Sequence, residues 1–105
     1  MATLLLTRRA KADLLSIGAY TKRTWGAGQA ERYLDEMERC LRMLAEMPTL
    51  GRECGWIRTE LRRFEKGKHV VFFRRNENGI LVSRILHQSM IPEMQEFEGL
   101  PEKRP

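Results

Sequence analysis

Apolar residues recur along this chain at two different spacings, which divide it into a helical half and a strand-forming half. A short apolar stretch, ATLLLT, predicts a first strand that ends at Thr7, a residue type suited to cap a helix. Apolar residues three and four positions apart then predict two helices, separated by the WGAG sequence, where Gly26 and Gly28 permit a break. Pro48 ends the second helix. The predicted apolar stripes are Ala10, Leu14, Ile17, Gly18, Thr21 and Trp25 in the first helix and Ala30, Tyr33, Leu34, Met37, Cys40, Leu41, Leu44 and Met47 in the second.

Beyond Pro48 the apolar spacing changes to about two, which is typical of strands. TLGREC is predicted as a loop and WIRTELRRFEKG as a strand of irregular pattern. KHVVFFRR and ILVSRILHQ predict two further strands, joined by NENG, a short Gly-ending turn of the kind that closes antiparallel hairpins. IPEMQEFEG predicts one or two helical turns, and residues 99–105 are expected to form a loose tail.

These elements predict an α+β fold in the order β-α-α-β-β-β, in which a helical hairpin packs on a mostly antiparallel sheet. A chain of 105 residues fits one domain, which we place at residues 1–98. The composition, 42% hydrophobic and 31% charged, is that of a globular protein. No apolar run approaches the roughly 20 residues of a membrane span, and the first 15 residues do not resemble a signal peptide. A cytoplasmic location is therefore expected.

Cysteine and histidine usage gives no sign of a cofactor or a metal. Cys40 and Cys54 lack CxxC spacing and are predicted to be free thiols. His69 and His87 have no further ligand at metal-binding spacing. We expect no metal and no cofactor.

The charge of the chain points to a class of partner, because a net charge of +5 and a pI near 9.7 favour an acidic one. The basic residues are concentrated between Trp56 and Arg75, against only Glu60 and Glu65. Charge alone leaves nucleic acid and acidic protein open as partners, although no basic recognition helix is evident. The seven basic residues are Arg58, Arg62, Arg63, Lys66, Lys68, Arg74 and Arg75.

Four stretches in series, YTKRTWGAGQAERYL, EMPTLGRE, RRFEKGKHVVFFR and GILVSRILHQSM, resemble the ParE branch of the RelE/ParE toxin superfamily. The resemblance implies a toxin of a bacterial type II toxin–antitoxin system, of the kind that serves plasmid stabilisation. It further implies inhibition of DNA gyrase, neutralisation by a ParD-like antitoxin whose C-terminal segment wraps around the toxin, and assembly into a higher-order complex. Members of the related RelE branch share the fold but cut messenger RNA on the ribosome, so the site must decide between the two activities.

RNA cleavage without a metal requires an acid, a base and cations for the phosphate. A nuclease site in this chain would consist of His87 with Arg63, Arg74 and Arg84. The tyrosine or histidine set that RelE-like nucleases carry near the C-terminus is incomplete, because both tyrosines, Tyr20 and Tyr33, lie in the helical half. We therefore expect a non-enzymatic protein in which His87 is structural or binds the target. The target-binding residues that the resemblance implies are Arg63, Arg74, Arg84, His87, Gln88 and Met90.

Two further expectations concern side-chain placement. Leu15, Tyr20 and Met43 lie at the edges of the helical stripes, where they could form a hydrophobic groove for the antitoxin or be ordinary exposed residues. Arg74 and Arg84 lie on neighbouring strands and could project from the same face of the sheet. Trp25 and Tyr33 are expected to pack in the core or between the helices.

Overall fold

The computed structural model describes residues 2–100, which form a five-stranded sheet with two helices on one face. The strands lie in the order β1-β5-β4-β3-β2, with β1 parallel to β5 and the other neighbours antiparallel. The predicted α+β class is confirmed, with one more strand than expected. The elements are β1 (Thr3–Leu6), α1 (Arg8–Trp25), α2 (Ala27–Glu46), a 3-10 turn (Pro48–Leu50), β2 (Arg52–Glu53), β3 (Arg62–Lys66), β4 (His69–Asn76), β5 (Gly79–His87) and a second 3-10 turn (Pro92–Met94).

The helical hairpin begins and ends where the sequence predicts. The hydroxyl of Thr7 accepts a hydrogen bond from the Ala10 N–H at 3.1 Å and caps α1. Gly26 separates the helices at a φ of 93°, a conformation that few other residues adopt. The expectation for Trp25 is wrong, because it is the last residue of α1 and is 68% exposed.

The sheet buries side chains on both faces, which explains why its central strands are apolar at successive positions. Side chains from α1 and α2 pack on one face, called here the helix face. A loop and a C-terminal segment cover the opposite face, called here the loop face. The helix-face core contains Val71, Phe73, Ile80, Val82 and Ile85 with Met37, Leu41 and Leu44; the loop-face core contains Val70, Phe72, Leu86, Cys54, Ile57, Leu61 and Phe97.

Two strand predictions require correction. TLGREC is not wholly a loop, because Arg52 and Glu53 pair with β3 as the short edge strand β2. In WIRTELRRFEKG only Arg62–Lys66 forms a strand, and the preceding residues are turns closed by the hydrogen bond from Cys54 N–H to Leu61 O at 2.9 Å. Its apolar residues are buried by the folding of a loop over the sheet, so they do not alternate as strand residues do.

Gly79 has a different role from the turn glycine that NENG predicts. It is the first residue of β5, paired with Asn76 of β4 and with Thr3 of β1. A Cβ atom at Gly79 would lie 1.9 Å from the Thr3 carbonyl oxygen. The glycine is therefore required because two strands approach each other closely, and the turn is formed by Glu77 and Asn78.

Replacing Gly79 by Ala is expected to lower the free energy of unfolding by about 1–3 kcal/mol, since backbone must move to admit the methyl group. Urea unfolding followed by circular dichroism measures the change. Gly28→Ala is the matched control, because no atom lies within 4 Å of a Cβ there and the substitution falls in a helix. Equal stability of the Gly79→Ala and wild-type proteins would show that β1 does not pack as described.

The C-terminal residues contact the sheet before the described part of the chain ends. Arg74 Nε donates to the Gly99 carbonyl at 2.7 Å, and Leu100 packs against the loop-face core. The start of the predicted loose tail is therefore held in place, while residues 101–105 lie outside the described residues. Within residues 2–100 no helix combines the length and the apolar character that crossing a membrane requires.

Candidate functional site

Three titratable side chains, those of Tyr33, His69 and His87, meet at one end of the sheet, on the helix face. His87 of β5 pairs with His69 of β4, which pairs with Lys66 of β3. The two imidazole rings lie 5.5 Å apart, edge to face. The Tyr33 hydroxyl of α2 reaches the same place, 2.6 Å from His69 Nδ1 and 3.2 Å from the Lys66 carbonyl oxygen. Tyr33 thus packs between helix and sheet, as expected, and in addition joins a polar cluster that the sequence did not predict.

His87 lies at the strand end and is exposed, together with Gln88 and Met90. Its Nδ1 accepts a hydrogen bond from the Ser89 N–H at 3.1 Å and lies 2.7 Å from the Ser89 hydroxyl. Because an N–H can only donate, Nδ1 is the unprotonated nitrogen in this arrangement. The HQSM sequence forms a turn, with the Gln88 N–H donating to Lys68 O and the Met90 N–H to His87 O.

Burial alters the acid–base properties of this cluster. It lowers the pKa of His69, and the neighbouring His87 lowers it further. It also raises the pKa of Tyr33, so the phenol stays protonated. His69 is therefore held neutral by its surroundings near pH 7.

Because the pKa of His69 is lower in the folded chain than its ordinary value of 6.5, the unfolded chain binds the proton more readily. Stability is therefore expected to fall as the pH drops below 6.5, until His69 is protonated in both states. Urea unfolding at pH 7.5, 6.5 and 5.5 measures this loss, which should be smaller in His69→Gln than in wild type. An Arg39→Gln variant on the exposed face of α2 is the control. An unchanged pH profile in His69→Gln would contradict the assignment.

The predicted arginines lie away from this cluster. Arg63 is three residues from Lys66 in β3, so alternation places it on the loop face. There its guanidinium lies 5.4 Å from the centre of the Phe72 ring, with Nε 3.5 Å from Glu65. Arg74 also lies on the loop face, where it donates to the carbonyl of Gly99.

Arg84 is withdrawn from the surface. It is 8% exposed, and its guanidinium forms two hydrogen bonds with the Asp13 carboxylate of α1, at 2.8 and 3.0 Å. Asp13 also accepts a hydrogen bond from the Ile85 N–H at 2.9 Å, beyond the point where β1 stops pairing with β5. The hydrogen bond with Asp13 raises the pKa of Arg84. Arg84 is paired with Phe72 and so begins on the loop face with Arg74, as predicted, but because it is buried against Asp13 the two arginines do not form one exposed surface.

Asp13 and His69 are the residues of this region that the sequence interpretation missed. Asp13 did carry a signal, because it lies three residues after Ala10 and four before Ile17, both of which are buried. An acidic residue at such a position must be paired when it is buried. Its partner, Arg84, lies 71 residues away and could not be read from the spacing.

An apolar groove of about 850 Å³ lies between α1, α2 and β1. Leu15, predicted as an antitoxin-binding residue, lines it and is 77% exposed. Tyr20 and Met43 are also exposed, but they lie outside the lining. The rim is charged, with Glu38 and Arg42 paired at 3.2 Å. The lining comprises Leu4, Leu6, Lys11, Leu14, Leu15, Gly18, Ala19, Lys22, Ala30, Leu34, Glu38, Leu41 and Arg42.

Comparison with known proteins places these features in a family context. The profile of a family described as "ParE toxin of type II toxin-antitoxin system, parDE" matches residues 4–92. The chain is 42% identical over 85 residues to Toxin ParE1 of Caulobacter vibrioides, covering 81% of this chain and 88% of that relative. It is 39% identical over 87 residues to Toxin ParE1 of Mycobacterium tuberculosis, covering 82% and 89%, and 35% identical over 91 residues to Toxin ParE of Escherichia coli, covering 86% and 88%.

A solved structure shows the same fold. It is a chain from the structure titled "Chromosomal ParDE TA system from P. aeruginosa", which superposes with a TM-score of 0.70. The match covers 83% of this chain and 96% of that chain at 22% sequence identity. The architecture described above is therefore shared with that chain.

Proposed function

Because this chain belongs to the ParE toxin family of type II toxin–antitoxin systems, we propose that it inhibits DNA gyrase and that a cognate ParD-like antitoxin neutralises it. The toxin would act by binding, without chemistry of its own and without a cofactor. Its target contacts would centre on the exposed turn of His87, Gln88 and Met90.

The observation that supports binding over RNA cleavage is the division of the candidate nuclease residues between two faces of the sheet. His87 lies on the helix face with His69 and Lys66, whereas Arg63 and Arg74 lie on the loop face. Arg84 is engaged by Asp13. An acid, a base and phosphate-binding cations must meet within a few ångströms of one phosphodiester, and these residues do not converge in that way.

The groove between α1, α2 and β1 supports the proposal of an antitoxin partner. Its apolar lining and charged rim suit an amphipathic helix, which lays apolar residues into a groove and polar residues along the rim. Leu15 would be the central contact, because it combines high exposure with a place in the lining. Tyr20 and Met43 would contact the antitoxin only where it extends beyond the groove.

The cluster of Tyr33, His69 and His87 is the observation that favours a second candidate, ribosome-dependent mRNA cleavage. A neutral histidine beside a second histidine could exchange protons with a ribose hydroxyl and a leaving oxygen. Two cations adjoin His69 in the strand pairing and in the sequence: Lys66, whose Nζ lies 3.9 Å from Glu36, and the exposed Lys68. This candidate requires the ribosome to supply the phosphate contacts that the sheet arginines do not provide.

One pair of assays distinguishes the two functions. Purified protein is added to gyrase with relaxed plasmid, and to translating ribosomes with messenger RNA, each with and without the antitoxin. We expect supercoiling to be inhibited, the messenger to remain intact and the antitoxin to restore supercoiling. Cleavage of the messenger with normal supercoiling would contradict the proposed function.

His87→Ala refines this test. If His87 is one exposed binding contact among several, its loss is expected to weaken gyrase inhibition by no more than about tenfold, which is typical outside an interface hot spot. If it were the acid or base of a nuclease, cleavage would fall by about 10²- to 10⁴-fold. Gel assays of supercoiling and of messenger cleavage measure both, with Glu77→Ala in the exposed β4–β5 turn as the control.

A further inference from the structure

The C-terminal residues 95–100, called here the strap, lie across the loop face and are held mainly by side chains of the rest of the chain. Four of its carbonyl oxygens accept hydrogen bonds from side chains. The donors are Arg58 to Gln95 O at 3.4 Å, Arg84 to Glu96 O at 3.2 Å, Ser83 to Glu98 O at 2.7 Å and Arg74 to Gly99 O at 2.7 Å. An extended peptide ligand is commonly held in this way, by its main chain.

One aromatic side chain anchors the strap. Phe97 is 8% exposed, and its ring lies 5.4 Å from Phe72, edge to face. The Arg58 guanidinium, which donates to the Gln95 carbonyl, also lies 5.5 Å from the centre of the same ring. A buried aromatic residue in a pocket, with weaker contacts around it, is the usual arrangement of an interface hot spot.

The strap is also acidic and lies on basic residues. The Glu98 carboxylate accepts from the Arg9 N–H at 3.1 Å and from Arg8 Nη2 at 3.3 Å, and the Glu96 carboxylate pairs with Arg9. These ion pairs are largely exposed, so they contribute little to the stability of the bound strap and mainly favour its orientation. The backbone N–H of Arg9, followed by Arg8, lowers the pKa of Glu98, in agreement with this charge arrangement.

From these contacts we propose that the loop face carries a groove for an extended acidic peptide with an aromatic anchor, supplied by a partner protein, and that the strap occupies this groove in the free chain. The groove is formed by Arg8, Arg9, Arg58, Arg74, Ser83 and Phe72. Main-chain recognition tolerates different sequences, so a partner segment with one aromatic and flanking acids can replace the strap. Residues 88–94, most of which are exposed, connect β5 to the strap and would allow it to leave. This site lies on the loop face and extends to Arg8 and Arg9 in the first turn of α1, and it shares no lining residue with the groove that contains Leu15.

A peptide is favoured over nucleic acid because the strap is recognised through spaced carbonyl groups and a single buried ring. A phosphate backbone offers charge but not this spacing of acceptors. Arg74 donates to the strap in the free chain and would donate to the partner peptide in the complex, so occupation of the groove by either segment and exposure of that arginine exclude each other.

The experiment uses the full chain and a fluorescein-labelled peptide of sequence PEMQEFEGL, which corresponds to residues 92–100. Phe97→Ala removes the anchor of the strap, and Met94→Ala, an exposed position just before the strap, is the matched control. A tethered ligand competes at an effective concentration near the millimolar range. We expect the peptide to bind Phe97→Ala at least about tenfold more tightly than wild type or Met94→Ala, as measured by fluorescence anisotropy.

Further arms of the experiment test the chemistry of the groove. Two altered peptides should each bind Phe97→Ala more weakly: one in which the phenylalanine is replaced by alanine, and one in which the glutamates that correspond to Glu96 and Glu98 are replaced by glutamine. A labelled single-stranded oligonucleotide should not displace the native peptide. Equal peptide binding by all three proteins, no binding to a cooperatively folded Phe97→Ala, or displacement by the oligonucleotide would overturn the proposal.

If Phe97→Ala fails to fold, a second variant carrying Glu96→Gln and Glu98→Gln loosens the strap without emptying the aromatic pocket. It should bind the native peptide a few-fold more tightly than wild type, because only exposed ion pairs are lost. Unchanged peptide binding by this folded double variant would also overturn the proposal. The molecular mass at the protein concentration of the assay shows whether the strap is exchanged between two copies, and we expect a monomer. A dimer that dissociates when the peptide is added would mean that the occupant of the groove is a second copy of the chain, and this result would contradict the proposal.

Discussion

Replacing Asp13 by Ala is expected to lower the free energy of unfolding by about 3–5 kcal/mol, because it leaves the Arg84 charge buried without its partner. The side chains of Arg84 and Asp13 are only 10% and 14% exposed. The substitution removes two hydrogen bonds to the guanidinium and a third to the Ile85 N–H. Urea unfolding measures the loss. Asp35→Ala, on the exposed face of α2, is the matched control and should change stability by less than about 0.5 kcal/mol.

A double replacement separates the loss of the ion pair from the penalty of an unpaired charge. Asp13→Leu combined with Arg84→Met removes both charges and keeps similar volumes. Apolar replacements of buried ion pairs are often tolerated, so this protein should be more stable than Asp13→Ala by about 1–4 kcal/mol. If Asp13→Ala itself is as stable as Asp35→Ala, the ion pair does not hold α1 to β5, and Arg84 becomes available to a partner again.

The second large effect concerns the groove between α1, α2 and β1. Replacing Leu15 by Glu is expected to weaken antitoxin binding by about 2–4 kcal/mol, roughly 30- to 1000-fold, because a charge would enter an apolar contact. Leu15 is 77% exposed in the free chain, so the substitution should leave stability nearly unchanged. Calorimetry with the purified cognate antitoxin measures the affinity.

Trp56→Glu is the control for this prediction, since Trp56 is 64% exposed on a loop outside the groove. Under the proposed function, Leu15→Glu should make the toxin insensitive to its antitoxin in cells while the proposed inhibition of gyrase persists. Unaltered antitoxin affinity of Leu15→Glu would place the antitoxin on another surface. Loss of affinity in both variants would instead indicate a general effect of the added negative charge.

The fold could be predicted in large part because most of its elements carry their own signal. The helical stripes, the cap at Thr7 and the break at Gly26 depend on neighbours a few residues apart. The hairpin of β4 and β5 likewise depends on local alternation and a short turn. Trp25 shows the limit of predictions from periodicity, because the spacing of apolar residues places a residue on a helix face but does not show whether another element packs against it.

The site could be predicted only in part, since its geometry depends on pairing between distant segments. The sequence indicated that His87, Gln88 and Met90 lie together at the end of a strand, and the structure places them there, exposed. It could not show that Tyr33 contacts His69, which lies 36 residues away, at 2.6 Å. Nor could it show the single-residue irregularity between Phe72 and Phe73 in the pairing of β4 with β5. Such irregularities change which face a strand residue occupies.

The α+β class, the helical hairpin and, through the motifs, membership of a toxin family could all be inferred from the sequence. These properties depend on short-range patterns that any fold of this type must satisfy. Which charges are available to a partner became evident only from the folded chain. Arg63, Arg74 and Arg84 look equivalent in the sequence, yet they are directed to an aromatic ring, a strap carbonyl and a buried carboxylate. A charged side chain takes its role from the nearest group of opposite polarity, and in a folded chain that group commonly lies far away in sequence.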